Sequence, residues 1–163
     1  MRSAMQYYDM MDASLLLSKT KIEAILESVD DKPDTDEPLW TCHAVCRTLC
    51  SMQHILGIFE GWDVLVQDGY FHRVGCEHAW LLLTNKMTLR RVICDPLPMG
   101  GHGVVFSAHD NSLAPWYGLY VEDEATYADR LSKFQTESVD LEFAIQEMID
   151  RGLRQLGATS VYA

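Results

Sequence analysis

The sequence lacks any run of about 20 apolar residues, which is the length an α-helix needs to cross a bilayer. It also lacks the features of a signal peptide, because the first apolar run, Leu15-Leu16-Leu17, is short and follows Asp9 and Asp12. Internal repeats, low-complexity tracts and a second domain boundary are missing as well. These absences predict a single domain over residues 1–163. We expect it in the cytoplasm, or exported by a route without a cleaved signal peptide.

Positive charge is scarce. There are 13 Lys and Arg residues against 24 Asp and Glu residues, which gives a formal net charge of −11. Nucleic acid and anionic membranes would be repelled by this charge, so we predict that neither is a partner. A basic peptide or protein would be attracted instead, and it is the kind of partner that the charge favours.

Cysteine spacing typical of a small disulfide scaffold is also missing. The chain has five Cys residues, an odd number, and this favours a reducing compartment. Four residues recur at intervals of four and share one helical stripe: Cys42, Cys46, Cys50 and His54. A zinc site drawn from this stripe and from Cys76, His78 or Cys94 is an alternative interpretation. Small buried Cys residues are common in protein cores, and we predict no metal and no cofactor.

The stretch from Cys42 to Leu56 has the pattern of a buried helix. Thr41 before it is a suitable N-cap, and Gly57 after it is a typical C-terminal residue. Its apolar residues form a stripe that neighbouring small residues widen: Val45, Leu49, Met52 and Leu56, with Ala44, Cys46, Cys50 and Ile55. A helix that is apolar over so much of its surface is predicted to be buried.

The rest of the chain predicts an α+β domain. Helical spacing covers about Asp9 to Val29, Glu122 to Phe134, and Ser138 to Leu156 with Ser138 as an N-cap. Five strands are predicted between them: Asp63–Gln67, Glu77–Thr84, Thr88–Asp95, Gly103–Phe106 and Tyr117–Val121. Asn85-Lys86-Met87 would join the second and third strands in a hairpin, within an antiparallel sheet packed on the buried helix. The run Leu81-Leu82-Leu83 predicts that the second strand is buried on both faces.

Three residues of this framework have, in chain order, the chemistry of a nucleophile, a base and an orienting acid. Cys42 begins the buried helix, where unpaired N–H groups and the helix dipole favour a thiolate. His78 on one strand would take the thiol proton. Asp95, at the end of the paired strand, would hold the imidazole through Nδ1. The sequence therefore predicts a cysteine-nucleophile enzyme acting on an amide or related acyl bond.

The same residues resemble a known family. Cys42 with Ala44, Gly57-Ile58, His78-Ala79-Trp80 and Asp95-Pro96 are similar to the transglutaminase-like group of the papain-like cysteine hydrolase superfamily. Cys42-His43-Ala44-Val45-Cys46 and Asp95-Pro96-Leu97-Pro98 also resemble a related branch of bacterial papain-like peptidases. The resemblance covers about Trp40 to Pro98. It implies a papain-like core and a peptidase, deamidase or transamidase that works through an acyl-enzyme.

The chain departs from this family around the oxyanion hole. The Gly common before the nucleophile is replaced by Trp40-Thr41, and the Gln that papain-like peptidases carry about six residues ahead is replaced by Asp36. The resemblance therefore makes Trp40, Asp36 and Trp80 candidates for the oxyanion hole or the cleft. His102, in a Gly-rich loop, is a candidate for contact with substrate. A non-catalytic binding module with the same fold is the alternative function.

Overall fold

The computed structural model describes residues 13–29, 40–72, 75–98, 103–109 and 116–155, with side chains up to residue 152 in the last range. The helices in these ranges are α1 (Ala13–Val29), α2 (Cys42–Ser51), α3 (Gln53–Leu56) and α4 (Glu124–Gln155). The strands are β1 (Trp62–Phe71), β2 (Cys76–Asn85), β3 (Arg91–Asp95), β4 (Val105–Ala108) and β5 (Tyr117–Leu119). This is the mixed α+β architecture that the sequence predicts. Within the described ranges, no helix is both long and apolar enough to span a bilayer.

The five strands form one sheet in the order β4-β3-β2-β1-β5, and every neighbouring pair is antiparallel. The β1–β2 hairpin is long and runs in register from Trp62 opposite Asn85 to Phe71 opposite Cys76. Strand β2 is central, and its residues from His78 to Leu83 are all buried. The predicted antiparallel sheet and the burial of β2 on both faces are therefore confirmed.

Helix α2 contacts β1 and β2 on one side and α4 on another, so it lies inside the domain. Val45 and Leu49 of this helix share one hydrophobic core with Leu81 and Leu83 of β2. Helices α1 and α4 close the core through fully buried side chains: Leu15, Ile22, Leu141 and Ile145. The apolar residues of α2 are thus buried or half-buried, whereas Ile55 of α3, which the sequence predicts in the same buried set, is 60% exposed.

The buried helix is shorter than predicted. It ends at Ser51, and Met52 (φ −96°, ψ 5°) separates it from the single turn of α3. The hydroxyl of Ser51 donates to the Thr48 carbonyl (3.3 Å), and the Gln53 amide donates to the Cys50 carbonyl (2.9 Å). These side chains give the last carbonyls of α2 local partners, and the Thr48 carbonyl also keeps its backbone bond from the Met52 N–H at 2.9 Å. Gly57 (φ 64°) ends α3 in the left-handed conformation, as predicted.

The C-terminal region is one helix, and the predicted interruption before Ser138 is wrong. No Gly or Pro lies between Phe134 and Ser138, so the backbone has no local reason to stop. The Ser138 hydroxyl donates to the Gln135 carbonyl at 2.9 Å, and its own carbonyl accepts from Thr48 of α2 at 3.1 Å. Ser138 therefore joins α4 to α2 and caps nothing. Asp123 caps α4 instead, because its carboxylate accepts from the Thr126 N–H at 2.8 Å.

Strand ends differ from the predictions by a few residues. The turn after Asn85 is longer than predicted, because the Asn85 side chain accepts from the N–H groups of both Met87 and Thr88. Leu89 has φ 61°, and β3 consequently begins at Arg91. Strand β4 begins at Val105, two residues after Gly103 (φ 81°). Residues 9–12 of the predicted first helix lie outside the described residues.

Candidate active site

Cys42 is the first residue of α2. Thr41 is its N-cap, as predicted: the Thr41 hydroxyl accepts from the Ala44 N–H (3.2 Å), and its carbonyl accepts from the Val45 N–H (3.0 Å). The Thr41 hydroxyl also donates to Glu137 of α4 (2.8 Å), which ties the start of α2 to that helix. The N–H groups of Cys42 and His43 precede these bonds and have no acceptor within the helix. A half-buried thiol thus lies at a helix terminus that favours negative charge.

His78 and Asp95 meet on the sheet. The Nε2 atom of His78 lies 2.7 Å from Oδ2 of Asp95, and both side chains are almost completely buried. The predicted contact through Nδ1 is wrong. Continuing the register in which Leu81 faces Cys94 puts Asp95 opposite Trp80, so His78 is its diagonal neighbour. Across a diagonal of about 7 Å, the outer ring nitrogen is the one that reaches the carboxylate.

The Cys42 thiol lies beside the ring of His78. Among the described residues Nδ1 of His78 is buried and has no partner in hydrogen-bond geometry, yet the thiol is close enough to act on the imidazole. Burial lowers the pKa of His78, but the hydrogen bond to Asp95, the contact with Cys42 and their charges outweigh it and raise this pKa to about 9. The imidazolium form is therefore favoured at neutral pH, with its N–H groups towards Asp95 and Cys42.

Tyr117 also belongs to the site, and the sequence did not indicate its role there. Its hydroxyl donates to Oδ2 of Asp95 at 3.0 Å. Burial, followed by the charge of Asp95, raises the pKa of Tyr117 well above its usual range, so the phenol keeps its proton. The rings of Phe71, Trp80 and Tyr117 surround His78 with centroid distances of 6.1 to 6.4 Å. An apolar enclosure of this kind strengthens the electrostatic interactions inside it.

The neighbouring thiols have different environments. Cys46 lies one turn further along α2 and is fully buried, and burial followed by the charges of Asp95 and Cys42 raises its pKa well above the ordinary value. Burial also raises the pKa of Cys50 and, with the charge of Asp95, that of Cys94. A thiol with a raised pKa is a poor nucleophile at neutral pH. These three residues therefore fit roles in packing.

The residues predicted to line the oxyanion hole or cleft fall into two groups. The Trp80 indole N–H donates to the Gln67 side chain at 2.7 Å, and the Trp40 indole N–H is directed at the Val29 carbonyl at 3.4 Å. Both indole donors are thus engaged within the fold. Asp36 and His102 lie outside the described residues. The helix-terminal N–H groups of Cys42 and His43 remain as donors near the thiol.

A second buried histidine–aspartate pair lies next to the first. Nδ1 of His43 is 2.8 Å from Oδ1 of Asp68 on β1, and Arg47 holds both oxygens of this carboxylate at 2.9 and 2.5 Å. Tyr127 of α4 donates to Oδ2 at 2.8 Å, and Phe134 stacks on the His43 ring at 3.8 Å. We call these five residues the Asp68 cluster. It joins β1, α2 and α4 directly behind Cys42.

The charge of the Asp68 cluster is balanced. Burial alone would raise the pKa of Asp68, but hydrogen bonds from His43, Arg47 and Tyr127, together with the Arg47 charge, hold it well below its usual range. Sequence reasoning missed this cluster, although His43 and Arg47 stand four residues apart and therefore share one helix face. Asp68 itself gives no such signal, because its strand also contains Asp63 and Gln67. The Asp68 cluster fixes the start of α2 against the sheet.

Within the described ranges, no three His, Cys, Asp or Glu side chains are arranged to hold a metal ion. The Cys46 and Cys94 thiols of the zinc alternative lie in the hydrophobic core. Comparisons of the chain with models of known protein families, with curated proteins and with solved structures find no match.

Proposed function

We propose that this protein is a cysteine-nucleophile enzyme that acts on an amide or related acyl bond through Cys42, His78 and Asp95. One observation carries the proposal. Asp95 binds Nε2 of His78 and leaves Nδ1 without a hydrogen-bond partner, and the half-buried Cys42 thiol is close enough to raise the pKa of the same imidazole. A base that is oriented on one side and open on the other, next to a nucleophile, is the arrangement that covalent acyl transfer needs.

The chemistry follows from these positions. The Cys42 thiol passes its proton to Nδ1 of His78 before substrate reacts, because the raised pKa of His78 favours the imidazolium form, and the sulfur then attacks the substrate carbonyl carbon. The resulting oxyanion is stabilised by the backbone N–H groups at the start of α2. When the C–N bond breaks, the proton on Nδ1 passes to the leaving amine, and a thioester remains on Cys42. Water or a second amine then attacks the thioester, loses a proton to His78, and releases an acid or a new amide.

The fold proposed for this chemistry is the papain-like or transglutaminase-like core. Support comes from a cysteine at the start of a buried helix and a histidine and an aspartate on adjacent antiparallel strands. Peptidase, deamidase and transamidase activities share these steps and differ in which amine leaves and what attacks the thioester. An amide of a peptide or protein is the proposed substrate, and no cofactor or metal enters the steps.

The test is the reactivity of single thiols. The protein is first reduced, and the reductant is then removed. At pH 6 iodoacetamide should alkylate Cys42 before the other thiols, which intact mass and peptide mapping would show. Cys42→Ala should lose this fast phase, whereas Cys50→Ala, which removes a half-buried thiol from the same helix, should keep it. Equal labelling rates for Cys42 and Cys50 would contradict the proposal.

A non-catalytic binding module is the second candidate. It is favoured by the engagement of both predicted side-chain donors, Trp40 and Trp80, in bonds within the fold. An acyl-enzyme separates the two functions. A peptide ester should leave its acyl mass on wild-type protein and none on Cys42→Ala. Fast alkylation without any acylation by esters or amides would favour the binding module.

A further inference from the structure

Strand β1 has a free edge over much of its length. β5 pairs with β1 only from Gly69 to Phe71, and among the described residues no strand pairs with Asp63–Gln67 on that side. Asp68 accepts from the Tyr120 N–H (3.2 Å) on this side of the strand. Because strand residues alternate, Val64 and Val66 also direct their N–H and C=O groups to this edge. An unpaired edge of this length is a template for another strand.

A cavity of about 360 Å³ lies against this edge. Residues 65–68 of β1 form one side of the cavity, and the rings of Tyr120 and Tyr127 form another. Leu65 (58% exposed) and Leu119 (52% exposed) add apolar surface that the described residues do not cover. The cavity has the size of a site for one or two side chains.

The cavity carries unbalanced negative charge. Glu122 and Glu124 both line it, and Glu122 shares Arg130 with Glu77 at an Nε–Oε1 distance of 3.1 Å. Among the described residues Glu124 has no ion-pair partner, and the hydroxyl of Tyr120 is buried without a hydrogen-bond partner. Glu122 keeps its contact with Arg130, but that single arginine serves two carboxylates. These acceptors are suited to a cationic group. The net charge of −11 favours its approach.

We propose that an extended peptide segment with basic side chains binds along β1 as an additional strand and places a Lys or Arg side chain in this cavity. The N–H and C=O groups of Val66 and the N–H of Val64 would supply the backbone bonds, while the Val64 carbonyl already accepts from the Cys50 thiol at 3.9 Å. Leu119 faces Gly69 in the register, so Leu65 and Leu119 share one face of the sheet. Asp68, which bonds Tyr127 of α4, alternates to the other face. Successive peptide side chains therefore meet the apolar surface of Leu65 and Leu119 and, on the other face, the side of the cavity that carries Tyr127 and Glu124 of α4.

The peptide site lies beside the candidate active site. Gly69, which faces His78 across the β1–β2 hairpin, is three residues from Val66, or about 10 Å along the strand. A peptide bound at this edge would end where the pairing with β5 begins, about 10 Å from the strand position that faces His78. The binding site itself does not depend on the proposed chemistry, and it is tested with a protein that lacks the nucleophile.

The probe is a fluorescent hexapeptide that alternates valine and lysine, titrated into Cys42→Ala protein by anisotropy. We expect saturable binding that weakens as salt is added. Glu122→Gln combined with Glu124→Gln should weaken it roughly three- to thirtyfold. The matched control is Glu60→Gln with Asp140→Asn, which removes two exposed carboxylates outside the cavity and should leave binding unchanged. Equal binding of a valine–glutamate hexapeptide would overturn the proposal.

The strand edge is tested separately. N-methylation of alternate peptide amides gives two probes, of which one keeps the bonds to β1 and the other loses them. Val66→Pro should also abolish binding, because it removes an N–H that no described strand uses. If Val66→Pro does not fold, slower amide exchange at Val64 and Val66 in the peptide complex replaces it. Equal binding of both methylated probes, or a doubled protein mass that shows a second copy on the edge, would contradict the proposal.

Discussion

The two buried histidine–aspartate pairs contain the same chemical groups, but they differ in how many of their polar atoms are hydrogen-bonded. In the Asp68 cluster both carboxylate oxygens are bonded, by His43, Arg47 and Tyr127. In the His78–Asp95 pair, Oδ1 of Asp95 and Nδ1 of His78 are buried without hydrogen-bond partners in the described part of the chain. Buried polar groups are normally satisfied, and those that are not need an explanation.

This difference indicates that one pair supports the fold and the other can take part in a reaction. A carboxylate whose oxygens are all bonded and whose charge is balanced by Arg47 has nothing left to offer a substrate. A ring nitrogen that is held in place and left open beside a thiol can accept and return a proton. The complete pair fixes α2, and α2 in turn presents Cys42 to the incomplete pair. Substitutions in the two pairs should therefore have different effects.

The largest expected difference is in thiol reactivity. His78→Asn removes the base next to Cys42, and alkylation of Cys42 by iodoacetamide at pH 7 should slow by about 100-fold or more. His43→Asn alters the other pair. It should slow Cys42 alkylation by less than about tenfold, provided that the protein is folded. The rate constants come from mass spectrometry over time. Equal slowing in both variants would remove the distinction between the two pairs.

Stability should show the reverse order. Asp68→Asn leaves the buried guanidinium of Arg47 without a counter-charge and should lower the free energy of unfolding by about 3 kcal/mol or more. Asp95→Asn removes the carboxylate that holds the charge of His78 and should cost about 2 to 3 kcal/mol, less than Asp68→Asn because an imidazole, unlike a guanidinium, can lose its proton. Urea denaturation of the two variants measures this. A larger loss for Asp95→Asn would show that the incomplete pair carries the fold.

The pairs should also act on opposite limbs of the pH–stability profile. The pKa of His78 is raised from 6.5 to about 9, so its stabilisation of about 3 kcal/mol is complete below pH 6.5 and is lost as the pH rises through about 9. The pKa of Asp68 is lowered, so its contribution is complete above about pH 4 and is lost as the pH falls. Urea titrations of wild type, His78→Asn and Asp68→Asn between pH 3 and 10 would measure both. Parallel profiles for wild type and His78→Asn above pH 6.5 would contradict the assignment.

Much of the fold was predictable from local pattern. The leucine run of β2 predicted a strand buried on both faces, and Thr41 and Gly57 predicted where the buried helical segment begins and ends. The predictions failed where side-chain hydroxyls and amides bond to the backbone. Ser51 and Gln53 bond to carbonyls at the end of α2, which stops at Ser51, and Ser138, the predicted cap, lies inside α4. Such bonds depend on tertiary position, which the spacing of apolar residues does not encode.

The candidate site was predictable in part, for the same reason. Chain order indicated Cys42, His78 and Asp95, and the hairpin indicated that the last two lie at the same end of their strands. The hairpin did not indicate which ring nitrogen of His78 reaches Asp95, because this depends on the two residues being diagonal neighbours in the sheet. Tyr117 and Tyr127 come from a distant strand and a distant helix, and nothing near them in sequence shows that each bonds a buried carboxylate.

These two tyrosines give the smallest and most closely matched test. Each donates one hydroxyl to one buried aspartate, Tyr117 to Asp95 (3.0 Å) and Tyr127 to Asp68 (2.8 Å), and each changes to Phe with the loss of one oxygen. Either substitution should lower the free energy of unfolding by about 1 kcal/mol, the usual net contribution of a hydrogen bond. Reactivity should separate them. Tyr117→Phe frees Oδ2 of Asp95 for His78 alone and should change the pH at which Cys42 alkylation is half-maximal, whereas Tyr127→Phe should leave it unchanged. A shift in Tyr127→Phe as large as that in Tyr117→Phe would mean that the two pairs are coupled and that the Asp68 cluster is also part of the reactive site.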